Sequence, residues 1–467
     1  MKIPYLPKKP EKKSCHNIEW EDNYSWIHQT NILEVLKDSS KLLPEVRKYL
    51  EEENAFVEHH LKETKDTQKK LFNEIKGRIK LDDESLPYKD VKYEYWTKTT
   101  TEGNYSIKLR KKIGTDKIEE IWNGDKEKEK LDTKYFGVGD LEVSWNDKYL
   151  GYSLDLKGSE YYTILIRDIL TNKLVTEKIE DTSGSIVFSL DDKYIFYSKL
   201  DKFHRPRKIL RHKIGTSVKN DELIFEEKSE AFTVGIGLSS DEKYFFITSS
   251  DHNTSEQYYF KVEEENPKPK MIKERKKGII YSVNSWNNNF YMHTNENAED
   301  FKIDVCKDLL NQKWESYIPA KNEILIGGLT FLNNWILRAE ISNALAKIFA
   351  KNLKTNIEEE IIFTEEKVID PSVSLIQKDR NTDYVHLSYS SPKTQGRVYL
   401  YNLKTKQNKL VKEQEIPSGH NPNDYIVERL ECSSHDGRMV PITITRKKNT
   451  KIDGSANLLL YGYGSYG

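Results

Sequence analysis

The run NLLLYGYGSYG, residues 457–467, places a serine among glycines behind an apolar stretch. That is the local pattern of a buried strand feeding a tight loop, where a hydroxyl could serve as a nucleophile. A nucleophile elbow, however, has the form G-x-S-x-G, because small residues on both sides let the chain turn sharply beneath the serine. Around Ser465 the order is Tyr463-Gly464-Ser465-Tyr466-Gly467, so a tyrosine stands where the first glycine belongs, and no helix follows. Ser465 is therefore not expected to be a nucleophile. Ser434, His435 and Asp436 contain the ingredients of a hydrolytic triad. Consecutive residues in a strand or tight turn project in different directions and cannot form a Ser to His to Asp relay. Asp436-Gly437 reads instead as the two-residue turn of a hairpin. His59 and His60 are adjacent, and neighbours on a helix point about 100° apart, so they would not chelate one ion. With no P-loop and no HExxH, neither a cofactor nor a metal site is expected.

Composition narrows the function further. The 74 Lys and Arg nearly cancel the 75 Asp and Glu, for a formal charge of −1, so no global field exists to hold nucleic acid. Only Cys15, Cys306 and Cys432 occur; an odd, widely spaced set without CxxC suits a reducing compartment and argues against a disulfide framework or zinc. The start MKIPYLPKKPEKK lacks the apolar core of a secretory leader. The apolar-looking stretch 324–337 is broken by Gly327-Gly328 and Asn333-Asn334, so no membrane span is expected. A cytoplasmic protein is the expectation. Its 28 Tyr, 16 Phe and 8 Trp supply ample buriable area.

The elements that must position any chemistry fall into three stretches. From Pro44 to about Ile79, apolar residues recur every three and four positions, which predicts one amphipathic helix with Pro44 in its first turn, preceded by a shorter helix at 32–36. After residue 82 the pattern changes to short β-branched and aromatic runs separated by turn residues. Three segments align: SWNDKYLGYS (144–153), SLDDKYIFYS (189–198) and SSDEKYFFIT (239–248). Their first aromatics, Tyr149, Tyr194 and Tyr244, lie 45 and 50 residues apart, and the phase continues through Phe290, Trp335 and Tyr384 at steps of 46, 45 and 49. A related strand recurs later in the unit, as ILIRDILTNK (164–173), IFAKNLKTN (348–356) and VYLYNLKTK (398–406). Such a period is that of a β-propeller with one four-stranded blade per repeat. In KYIFYS, Tyr194 and Phe196 face one way and Ile195 and Tyr197 the other, giving two apolar faces as a blade between neighbours requires. YEYWTKT and YSIKLRKK (93–112) supply an earlier unit. The expectation is a mainly β protein whose seven-bladed propeller spans 83–415; six or eight blades also fit the spacing. Past Glu415 the repeat is lost, and two strands joined at HDGR, with a third beginning at NLLLYGYG, open another domain.

Several long motifs now resemble oligopeptidase B, within the prolyl oligopeptidase family of serine peptidases: YLEEENAFVEHHL (49–61), LFNEIKGRIKLDDESLPY (71–88), RPRKILRHKIGT (205–216), LIFEEKSEAFTVGIGLSSDEKYF (223–245) and LLLYGYGSYG. The resemblance runs in consistent order from about Trp20 onward. It implies an N-terminal helical extension (1–82), a seven-bladed propeller (83–415) and the truncated start of an α/β-hydrolase peptidase domain (416–467). By the same resemblance, the propeller caps a cavity admitting only short peptides, cleavage falls after Arg or Lys, and Tyr463 donates its hydroxyl to the oxyanion. The nucleophile, base and acid of the family have no counterpart in these 467 residues.

Three readings follow from the sequence. The chain is the N-terminal piece of an oligopeptidase B-like enzyme, inactive alone, produced by gene splitting, a premature stop or truncation; or it is a non-catalytic cap whose partner is a separately encoded hydrolase fragment, with short basic peptides as substrates of the complex; or it is a decayed remnant or free-standing propeller. Neither nucleic acid nor membrane is an expected partner.

Overall fold

The computed structural model describes residues 1–463. The N-terminal extension holds a hairpin (Glu11–Cys15 with Ile18–Asp22), α1 (Ile32–Lys37), α2 (Pro44–His60) and α3 (Lys65–Gly77). Pro44 stands in the first turn of α2, where its missing N–H costs nothing, with Glu45 beside the positive helix end. The single helix expected from Pro44 to Ile79 is corrected to two. The Leu61 N–H bonds back to Val57 O, and the Leu61 carbonyl then receives both the backbone N–H and the hydroxyl of Thr64, which winds Lys62–Thr64 into a 3-10 turn. A threonine hydroxyl competing for backbone partners is a local effect that apolar periodicity does not register. The extension has little core of its own, mainly Val46 and the buried Gln29, whose amide bonds to Leu43 N and Lys41 O.

From residue 88 the chain is a propeller of antiparallel sheets. Five separate four-stranded sheets occupy 88–123, 233–273, 281–318, 324–360 and 370–413, and the stretch 137–226 forms one eight-stranded sheet. Seven separate blades were expected, so the count is corrected. In the larger sheet the chain passes from an outer strand (Ile179–Thr182) into the next inner strand almost without a loop, and Thr182 pairs with both Tyr162 and Lys199. The inner strand is left with only Val187–Phe188. In every four-strand unit from 137 on, the aromatics that set the repeat lie in the second strand: Tyr149, Tyr194, Tyr244, Trp335 and Tyr384 begin theirs, and Phe290 is the second residue of its own.

The core lies between units. Ile195 and Tyr197 pack toward Ile164, Ile166 and Ile179, while Phe196 on the opposite face packs on Phe245 and Phe260. Both faces of that strand are thus apolar, as the alternation in KYIFYS required. The ring closes where the first sheet meets the last, through a parallel bridge between Lys89 and Gln377.

Beyond the propeller, Tyr425–Ser433 and Met439–Lys447 form a two-stranded hairpin. The third strand expected at NLLLYGYG is not formed: residues 456–463 carry no regular structure, and Leu458, Leu459 and Leu460 are more than four-fifths exposed. A strand needs a partner for its backbone groups, and none of the described residues pairs with this one. No described helix is long and apolar enough to cross a membrane.

Candidate functional site: the central channel and its two faces

In three consecutive units, from residue 137 to 273, the turn between the first and second strands is built by one recurring device. The Ser144 hydroxyl accepts the Tyr149 N–H at 2.9 Å, while Ser189 with Tyr194 and Ser239 with Tyr244 repeat the contact at 3.0 Å. The turn ends on a residue in the left-handed region, Asp147, Asp192 or Glu242 (φ 63°, 55° and 60°), a conformation that Asp adopts more readily than most residues. Each turn then reaches its neighbour. The Asp192 carboxylate accepts the N–H groups of Trp145 and Asn146 at 2.8 and 2.7 Å; Asp147 accepts the Tyr95 hydroxyl at 2.6 Å; the Ser285 hydroxyl donates to Asp241 at 2.8 Å. Burial, and then this bond to Asp147, hold the Tyr95 phenol well above its usual pKa. The turns thus form a collar at one end of the central channel.

Inside the collar is a cavity of about 700 Å³. Its lining mixes charges within each turn: Asp241 and Glu242 stand beside Lys243, Asp379 stands between Lys378 and Arg380 in the loop after Asp370–Ser374, and Lys89 and Asp90 come from the first sheet. The Lys378 ammonium lies 3.3 Å from Asp90 and 3.6 Å from the Trp145 ring centre, and Arg380 donates to Phe331 O at 3.1 Å. Burial raises the Glu242 pKa, and the positive charges of Lys378 and Arg380 offset part of the rise. This collar can bind polar, dipolar groups; no nucleophile and base come together in it.

Along the channel the first strands carry little bulk. A Cβ at Gly235, Gly237 or Gly328 would meet open space. A bulge between Val138 and Leu141 sets Asp140 and Glu142 close to one another. Asp140 is held by the N–H groups of Leu141 and Ile186, both at 2.9 Å. Glu142 is open to solvent yet walled by protein; burial, and then repulsion from Asp140, push its carboxyl up to about 7.

The opposite face carries the extension and the 425–447 hairpin. Arg429 donates to Asn343 O, and the Asn343 amide lies 3.4 Å from Glu431. The Ser434 hydroxyl lies 3.3 Å from His435 Nδ1, but Asp436 is engaged with Arg438 through the backbone N–H and the side chain. These three residues therefore form a turn without a relay. Tyr463, the expected oxyanion donor, lies on this stretch of irregular chain and is 68% exposed; Ser465 falls outside the described residues. His59 and His60 meet edge to face, with ring centres 5.5 Å apart, and the described residues hold no group of three or more candidate metal ligands. Sequence reasoning missed Glu142, Glu242, Lys378 and Arg380. The repeat held a signal for Glu242, the turn residue two positions before the aligned aromatic; Glu142 depends on a bulge that no spacing revealed.

The sheets, their shared channel and the collar define a β-propeller domain. The family described as "Prolyl oligopeptidase, N-terminal beta-propeller domain" matches residues 4–414, and the chain belongs to it. Among curated relatives, it is 28% identical to dipeptidyl aminopeptidase BI of Pseudoxanthomonas mexicana, over 99% of this chain and 65% of that protein. It is 26% identical to protease 2 of Moraxella lacunata, over 100% of this chain and 66% of the relative. The chain thus spans just under two thirds of the length of these relatives. In fold it matches oligopeptidase B from Trypanosoma brucei with covalently bound antipain, in a closed form (TM-score 0.90, 23% identity, 100% of this chain and 68% of that one). It also matches oligopeptidase B from Leishmania major (TM-score 0.90, 20% identity, 100% and 68%).

Proposed function

We propose that this chain is the propeller part of an oligopeptidase B-like serine endopeptidase that cleaves short peptides after Arg or Lys in the cytoplasm. Residues 83–415 form the propeller, with the two halves of the eight-stranded sheet counting as two of seven blades. Residues 1–82 and 416–467 belong with the peptidase body, the latter as the opening strands of an α/β-hydrolase domain. The nucleophile, base and acid come from outside these 467 residues, and Tyr463 supplies a hydroxyl to the oxyanion.

One observation carries the reading. The chain exposes 29,327 Å², whereas a compact monomer of 54.8 kDa exposes about 18,000 Å². The exposed surface includes large apolar side chains: Leu50, Val57, Leu71, Phe72 and Ile75 on α2 and α3, and Leu458 to Leu460. Apolar surface of this kind supports a second body packing against it. A propeller that walls a peptidase also accounts for the channel, which would admit an extended peptide and exclude a folded protein.

The test is reconstitution. The pure chain is expected to leave an Arg-containing fluorogenic peptide intact, and mixing with an oligopeptidase B-type peptidase domain should give a stable complex and turnover that a serine-reactive phosphonate abolishes. In that complex Tyr463→Phe should lower kcat by about 100-fold. Turnover by the pure chain, or failure of the two parts to bind, would contradict the proposal. The same exposed apolar surface favours a second reading, a non-catalytic cap for a separately encoded hydrolase fragment. The intact mass of the endogenous protein decides between them: a mass well above 54.8 kDa means one continuous peptidase, and a mass at that value with a hydrolase-sized companion means a split one.

A further inference from the structure

We propose that the collar cavity at the end of the channel binds a short peptide with both termini free, taking its ammonium at Glu242 and its carboxylate at Arg380. At about 700 Å³ the cavity has the size of a small-ligand site. Most of its charges are already engaged. The Lys378 ammonium is held by Asp90 and the Trp145 ring, Lys243 donates to Asn288 Oδ1 at 2.9 Å, and Asp241 accepts the hydroxyls of Ser239 and Ser285, both at 2.8 Å. Lys89 and Asp379 are exposed, so water satisfies them. Glu242 and Arg380 are the exceptions.

Both are half-buried. Among the described residues no donor reaches the Glu242 carboxylate, and no carboxylate pairs with the Arg380 guanidinium, whose one acceptor is Phe331 O at 3.1 Å. The charge of Arg380 nevertheless acts on Glu242, so the two line one cavity as near neighbours that do not close into an ion pair. Opposite charges drawn partly out of water are stabilised by pairing, and keeping them apart costs free energy. Local structure keeps them apart: Glu242 sits in a left-handed turn (φ 60°), and Arg380 is tied to Phe331. A ligand that brings a cation to one and an anion to the other supplies both missing partners.

The rest of the lining specifies the ligand. A guanidinium takes a carboxylate through two parallel N–H bonds. Near it, with the ring centre 5.9 Å from the guanidinium, Trp286 is 6% exposed, and its indole N–H has no acceptor among the described residues. The carboxylate end of the site is therefore rich in donors. Asn287, Asn288, Asn333 and Gln377 add side-chain amides, which donate and accept as a peptide group does. A multiply charged anion would be repelled by Asp241 and Asp379 of the same lining, and a lone cation by Lys243 and Lys378. A zwitterion suits such a balance of charge. Cleavage would leave short peptides with free ends in the channel, so the supply of this ligand rests on the peptidase reading, whereas its binding does not.

Ligand-observed NMR on the full chain tests the site with L-alanyl-L-alanine and its two singly capped forms, the N-acetyl peptide and the C-terminal amide. The free dipeptide should bind with a Kd below about 1 mM, and each cap should weaken binding at least about 10-fold, as the loss of a charge-assisted contact does. Glu242→Gln should abolish discrimination against the acetyl form and keep that against the amide; Arg380→Gln should do the reverse. The half of the pattern that each variant keeps shows that it is folded, and if a variant loses all binding the caps on the parent chain still decide. No binding at about 10 mM free dipeptide, caps without effect, or a variant that keeps the discrimination its own group should supply would each overturn the proposal. No peptidase domain enters this measurement, so its failure is distinguishable from failure of the reconstitution.

Discussion

The junctions within the propeller and the seam that closes it are made differently. Six buried apolar clusters fill the junctions between successive four-strand units. The Phe196, Phe245 and Phe260 rings, for example, meet at 4.7 to 5.8 Å. Between the last sheet and the first, no such cluster occurs among the described residues. Lys89 N–H donates to Ile376 O at 3.1 Å, Lys378 N–H donates to Lys89 O at 2.9 Å, and the Lys412 ammonium holds Asp83 at 2.8 Å and the Glu84 carbonyl. A groove of about 510 Å³ lined by Asp370, Ser372, Ser388 and Arg397 runs along this contact. Apolar burial contributes in proportion to area, whereas a net hydrogen bond contributes about 1 kcal/mol and an exposed ion pair less. The joint with no covalent link across it is therefore also the least cohesive.

The comparison can be broken or sharpened by substitution. Phe245→Ala removes a ring that is 1% exposed and should cost about 3–5 kcal/mol, read as a lower urea midpoint. Asp192→Ala should cost about 1–3 kcal/mol, because the Trp145 and Asn146 N–H groups lose their carboxylate acceptor. Glu142 has a folded-state pKa of about 7, raised from 4.5, so its protonated form favours folding. That stability is complete below pH 4.5 and is lost as pH rises through 7. Glu142→Gln should therefore add about 1 kcal/mol at pH 8, after allowing for screening by channel water, and nothing at pH 4. Lys412→Ala, at the seam, should cost less than about 1 kcal/mol at low salt and close to nothing at high salt. A cost for Lys412→Ala equal to that for Phe245→Ala would break the comparison.

Much of the propeller was legible because its units repeat a local grammar. The turn serine, the left-handed Asp or Glu and the following aromatic recur in phase, and the second strands of all but the first unit fall where Tyr149 through Tyr384 placed them. Features that depend on one residue, or on a contact distant in sequence, were not legible. Thr64 breaks the long helix with a single hydroxyl. Thr182 merges two units by pairing on both sides. At the site, the turn residues of the collar were visible as turns but not as a convergent set, since convergence is a property of the ring. The Lys37 ammonium meets Asp181 at 2.9 Å across 144 residues of sequence, and neither residue carries a mark of that meeting.

Native-state hydrogen exchange across the ring tests the central contrast most directly. In low denaturant, the amides of Lys89 and Lys378 and of the strands Tyr93–Lys98 and Tyr384–Ser390 should open together, at least about 10-fold more often than those of Tyr244–Ser250 and Ser255–Lys261, a difference of about 1.4 kcal/mol. Equal protection on both sides of the ring would contradict the account.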